Sequence, residues 1–139
     1  MLIMAVRAAG LLSFLAGAIL MANVADASTA SPALVGEWGG PQVQLSLTAN
    51  GGRIEFSCAA TTIAAAVRPD AAGRFSANGQ QEDFTGGATS ADKPPPTTPT
   101  RITGTVEGDT LHLAVQRQGA AVEAYILQRG RRSKLIRCY

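Results

Sequence analysis

Two stretches of this chain alternate apolar and polar residues with a period of two on both sides of a tight turn, a pattern that antiparallel β-hairpins satisfy. In Gln42-Val43-Gln44-Leu45-Ser46-Leu47-Thr48 and Arg53-Ile54-Glu55-Phe56-Ser57-Cys58 every second residue is apolar, as a half-buried strand requires. Asn50-Gly51 stands between them, a dipeptide whose tolerance of positive φ suits a two-residue type I′ turn. Centring the turn there sets Leu47 opposite Ile54, Leu45 opposite Phe56 and Val43 opposite Cys58 on one face. A one-residue slip would oppose apolar to polar side chains throughout. A second hairpin joins Ile102-Thr103-Gly104-Thr105-Val106 to Leu111-His112-Leu113-Ala114-Val115. With the turn at Gly108-Asp109, Val106 meets Leu111, Gly104 meets Leu113 and Ile102 meets Val115. A turn at Glu107-Gly108 would instead set Val106 against Asp109. Gly104, an apolar-face position without a side chain, predicts a bend or a bulge.

Weaker patterns complete the series. Ile63 to Val67 reads as a strand, Pro69-Asp70-Ala71-Ala72-Gly73 has turn chemistry, and Arg74-Phe75-Ser76-Ala77 begins another strand. Val122 to Gln128 follows, then a turn around Gly130 and a last strand over Lys134–Cys138. About eight strands after Pro41 joined by short connections predict an all-β fold: a small antiparallel up-and-down barrel, whose closure removes exposed edges. A two-sheet β-sandwich is the alternative. One connection is long, residues 86–99, rich in Gly, Thr and Pro and containing Pro94-Pro95-Pro96. It reads either as a strap across a barrel mouth or as an insertion without a role.

The N-terminus carries export chemistry. Arg7 precedes an apolar stretch from Ala8 to Ala22, and Asn23-Val24-Ala25-Asp26-Ala27 offers small residues for cleavage after Ala27, with cleavage after Ala30 as an alternative. The apolar run is shorter than a bilayer span needs, so residues 1–27 read as a signal peptide and membrane contact ends with its removal. Residues 28–35 form a flexible N-terminal segment, and residues 36–139 a single barrel domain. The expected location is periplasmic or secreted in a bacterium. There the only two cysteines, Cys58 and Cys138, meet an oxidising environment and pair. In a closed meander both would lie at one end, on the inward face.

Most reactive chemistry finds no constellation. His112 is the only histidine, and the hairpin register puts it on the outer wall. With the cysteines paired, a metal site lacks ligands. No G-x-S-x-G elbow is present, no Gly-rich loop has the Lys or helix that phosphate binding needs, and Glu82 and Asp83, as strand neighbours, point to opposite faces. The expectation is a non-enzyme with no cofactor and no metal. A formal charge of +2 and 5% aromatic residues argue against a nucleic-acid partner. Charge is asymmetric only near the C-terminus, where Arg129, Arg131, Arg132, Lys134 and Arg137 cluster. Such a patch attracts anionic surfaces, or simply discourages strand pairing at an edge.

Leu34-Val35-Gly36-Glu37-Trp38-Gly39-Gly40 precedes the first long strand, and a Gly-x-Trp in that place resembles the opening of the calycins, lipocalins and avidins among them. The resemblance implies that Trp38 packs across one end of the barrel and closes it. Together with Ile54-Glu55-Phe56-Ser57-Cys58, Gly73-Arg74-Phe75, Thr103-Gly104-Thr105-Val106 and Arg137-Cys138, it also looks like a group of small secreted bacterial proteins without characterised function. The calycin likeness implies a small apolar ligand inside the barrel, unless Leu45, Leu47, Phe56, Leu111 and Leu113 fill it. The Leu-x-Gly-x-Trp pattern is similar as well to periplasmic metalloprotease inhibitors, which implies a protease partner reached through residues 28–35. The long-range disulfide departs from that family. An envelope-associated structural role without a ligand is the remaining alternative.

Overall fold

The computed structural model describes residues 31–84 and 93–138. The expected signal peptide lies outside the described residues, as do residues 28–30, residues 85–92 of the long connection, and Tyr139. Eight strands follow one another: β1 (Gly36–Gly40), β2 (Val43–Thr48), β3 (Gly51–Phe56), β4 (Ala59–Ile63), β5 (Arg74–Asp83), β6 (Thr97–Glu107), β7 (Thr110–Arg117) and β8 (Glu123–Arg129). Each pairs antiparallel with the next, and β8 pairs back to β1, closing an up-and-down barrel. The sandwich alternative falls with that closure.

The membership of the eight differs from expectation at both ends. β1 lies before Pro41 and holds Trp38, whereas residues 131–138 form no strand. They run outside the wall as a strap. Its ties are Gly130 N–H to the Glu37 carbonyl (2.7 Å), Ser133 Oγ to the Gly40 carbonyl (2.6 Å) and Cys138 N–H to the Ser57 carbonyl (3.3 Å). β1 was hidden because three of its five residues are glycine, which carry no apolar alternation. Between β3 and β5 the strand is Ala59–Ile63, not Ile63–Val67. Val67 is buried all the same, in the connection that crosses one end of the barrel. Thr97, Thr98 and Pro99, placed by their composition in the long connection, begin β6.

The β6–β7 hairpin has the expected register: Val106 faces Leu111, Gly104 faces Leu113 and Ile102 faces Val115. Gly104 marks no bulge, because pairing is continuous on both sides of it. A Cβ there would stand 2.4 Å from Phe75 Cζ, so glycine makes room for the aromatic ring across the strand pair. The β2–β3 hairpin is shifted by two residues. Leu45 faces Ile54, Val43 faces Phe56 and Thr48 faces Gly51, so the loop is Ala49-Asn50. Alternation determines register only modulo two, and the shift leaves every inward residue inward. Gly51 selects between the two: its φ is 154° and a Cβ would lie 2.2 Å from the Ile63 carbonyl oxygen, so it must sit within β3 beside β4.

Inward side chains from all strands form one core of Trp38, Leu45, Leu47, Ile54, Ile63, Phe75, Ile102, Leu111, Leu113 and Leu127, with Val67 and Leu34 packed onto it. Cys58 and Cys138 are bridged. Both are exposed, clasping the end of the strap to the β3–β4 connection on the outside of the wall, because Cys138 belongs to no strand. Their inward placement is corrected accordingly.

Candidate functional site

The two ends of the barrel differ. At one end the β2–β3 turn, the 64–73 connection and the β6–β7 turn converge, and Leu34, Val67 and Trp38 seal it. Leu34 N–H donates to the Val67 carbonyl at 2.7 Å. Trp38 is fully buried, and the Arg129 guanidinium, at the last residue of β8, lies 4.3 Å over its ring. At the other end the Pro41-Gln42 turn, Ser57-Cys58, the end of β5 at Gln81 and Asp83, and Ala120-Ala121 surround a cavity of about 400 Å³.

Below this mouth the barrel is filled. Leu45, Leu47, Leu111 and Leu113 occupy its interior as the sequence suggests, each at most 5% exposed. Phe56 is different: it is half-buried and lines the mouth with Tyr125, the two rings 5.5 Å apart and tilted by 45°. Val115 and Ala59 complete the apolar part. The rim is charged. Asp83, Arg117 and Glu123 are the last or first residues of β5, β7 and β8 and carry on the inward parity of Phe75, Leu113 and Leu127. Arg117 Nη1 reaches both oxygens of Asp83, at 3.3 and 3.2 Å. The Tyr125 hydroxyl donates to Glu123 Oε2 at 2.7 Å. Burial, this hydrogen bond and the Glu123 charge hold the phenol of Tyr125 well above the ordinary tyrosine range, so it remains a donor at neutral pH.

Two residues at the mouth stand out. Gln42 adopts φ 57°, the only non-glycine residue with positive φ among the described residues. Such a conformation costs on the order of 1 kcal/mol and concentrates at functional sites. Ser57 borders the cavity, but its Oγ is buried away from the open space, without a hydrogen-bond partner among the described residues.

The other expected site residues lie elsewhere. His112 stands on the outer wall opposite Thr105 and Ile126, 3.7 Å from Glu107. The basic cluster is divided. Arg129 caps Trp38 and pairs with Asp109 at 3.2 Å, while Arg132 and Arg137 share an outer concavity with Glu37 and Glu55. The inward polar rim went unread in the sequence. Extending the parity of β5, β7 and β8 to their ends exposes it, since 75 to 83, 113 to 117 and 127 to 123 are all even steps.

No protein-family model, curated protein or solved structure matches this chain. The Cys58–Cys138 disulfide is consistent with an oxidising compartment.

Proposed function

We propose that this chain is an exported, non-catalytic binding module of calycin-like kind that carries a small, largely apolar molecule at the open mouth of its barrel, in the periplasm or outside the cell. The observation that carries the reading is the cavity of about 400 Å³ walled by Phe56, Tyr125 and Val115 above a filled core. That size lies within the ~300–1,000 Å³ range of small-molecule sites, which combine an apolar lining with a few polar groups that fix orientation. Gln42, with its positive φ at the same mouth, supports it. The signal-peptide pattern and the disulfide support export.

The competing readings draw less support. Inhibition of a protease through the N-terminal segment requires a free strand end, yet Arg68 Nη1 donates to the Ser31 carbonyl at 2.7 Å and Leu34 is packed on the core. Envelope association through the basic cluster requires one patch, and acidic neighbours divide it.

Native mass spectrometry of the protein exported with its own signal and purified without reductant tests the proposal. A non-covalent mass that leaves on denaturation is expected. Protein that is always empty, including after incubation with extracts of the producing cell, would defeat it.

A further inference from the structure

We propose that the molecule held at the mouth is an organic cation, an ammonium group on an apolar body; this rests on the reading of the mouth as the binding site. Three ionic side chains line the cavity, and they do not balance. Asp83 and Arg117 neutralise one another at 3.2 Å. Glu123 has no cationic partner among the described residues. Among the described residues that line it, the mouth therefore carries one uncompensated negative charge.

The remaining chemistry has the same sense. The Tyr125 hydroxyl holds the Glu123 carboxylate by one oxygen, at 2.7 Å. This orients the group without neutralising it and leaves its other lone pairs free. Phe56 and Tyr125 line the cavity with rings tilted 45° to one another, and aromatic rings attract cations through their quadrupoles. An ammonium group consists of donors only, which suits the free lone pairs of the Glu123 carboxylate. An anionic ligand meets the opposite conditions. Its natural partner, Arg117, is already occupied by Asp83, and Glu123 repels it. A neutral amphiphile gains the apolar wall and forgoes the charge, so the discrimination rests on Glu123.

Isothermal titration of the mature, oxidised protein with octylammonium, octanoate and octanol, which share one apolar chain, separates the possibilities. Octylammonium should bind about tenfold or more tightly than either of the others, the scale of one charge-assisted contact. Glu123→Gln keeps an acceptor for Tyr125 and should abolish the preference. Arg117→Gln releases Asp83 and should strengthen it. Equal binding of all three overturns the cation proposal and leaves the mouth as a binding site. Binding of octanoate in preference overturns it in the same way. If none binds, the reading of the mouth as a ligand site falls as well.

Discussion

Gly104 and Phe75 show how far a single position shapes this barrel. A methyl group on Gly104 would fall 2.4 Å from the Phe75 ring, which is buried and tightly packed, so the ring would have to leave its place. Overpacking of this kind costs about 1–3 kcal/mol. Gly104→Ala should therefore lower the urea midpoint by that equivalent, and Phe75→Leu in the same chain should recover part of the loss. An unchanged midpoint for Gly104→Ala would show that the ring does not sit over the glycine. Gln42 and Glu123 are residue-scale features of a different kind. One holds a positive-φ backbone conformation and the other a charge with no counter-ion among the described residues, and both line the mouth.

At the scale of elements, the strap is the part that strand reasoning does not reach. Residues 130–138 cross the outside of β1 and β2, with Ser133 N–H donating to Gln44 Oε1 at 2.9 Å, and end in a disulfide spanning 80 residues. A bridge that closes a long loop raises stability by about 2–4 kcal/mol. The paired substitution Cys58→Ser with Cys138→Ser should lower the thermal midpoint by roughly 10 °C or more for a domain of this size. Hydrogen exchange should quicken along the strap and in β1, while β6 and β7 keep their protection. A variant as stable as the wild type would mean that the bridge does not secure the strap. Inward and outward faces were legible for every strand with a clear alternation, and the β6–β7 register followed because only one turn position avoided opposing Val106 to Asp109. The β2–β3 register was not legible, since a shift of two preserves every face and the deciding contact, Gly51 against Ile63, lies on a strand far along the chain. β1 was missed for its glycines. Lys134–Cys138, expected as a strand, belongs to the strap, and Ile136 within it is 73% exposed.

For the whole molecule, the two ends divide the work. Trp38, Val67 and Leu34 seal one end, and core side chains fill the barrel up to the level of Phe56. A ligand is left a shallow site at the mouth and no deep interior chamber, so the expected calycin-like binding is confined to the layer where the inward residues turn from Leu and Val to Tyr, Glu, Asp and Arg. That polar layer was within reach of the sequence, given strand ends that its weak alternation does not supply. The most direct test is a backbone amide shift map of the isotope-labelled protein, recorded empty and then with octylammonium. Shifts should gather at Phe56, Ser57, Ala59, Val115 and Tyr125, with Trp38, Val67 and the strap unmoved. Shifts centred on the sealed end or on the strap residues 131–137, or none at any concentration, would contradict a ligand site at the barrel mouth.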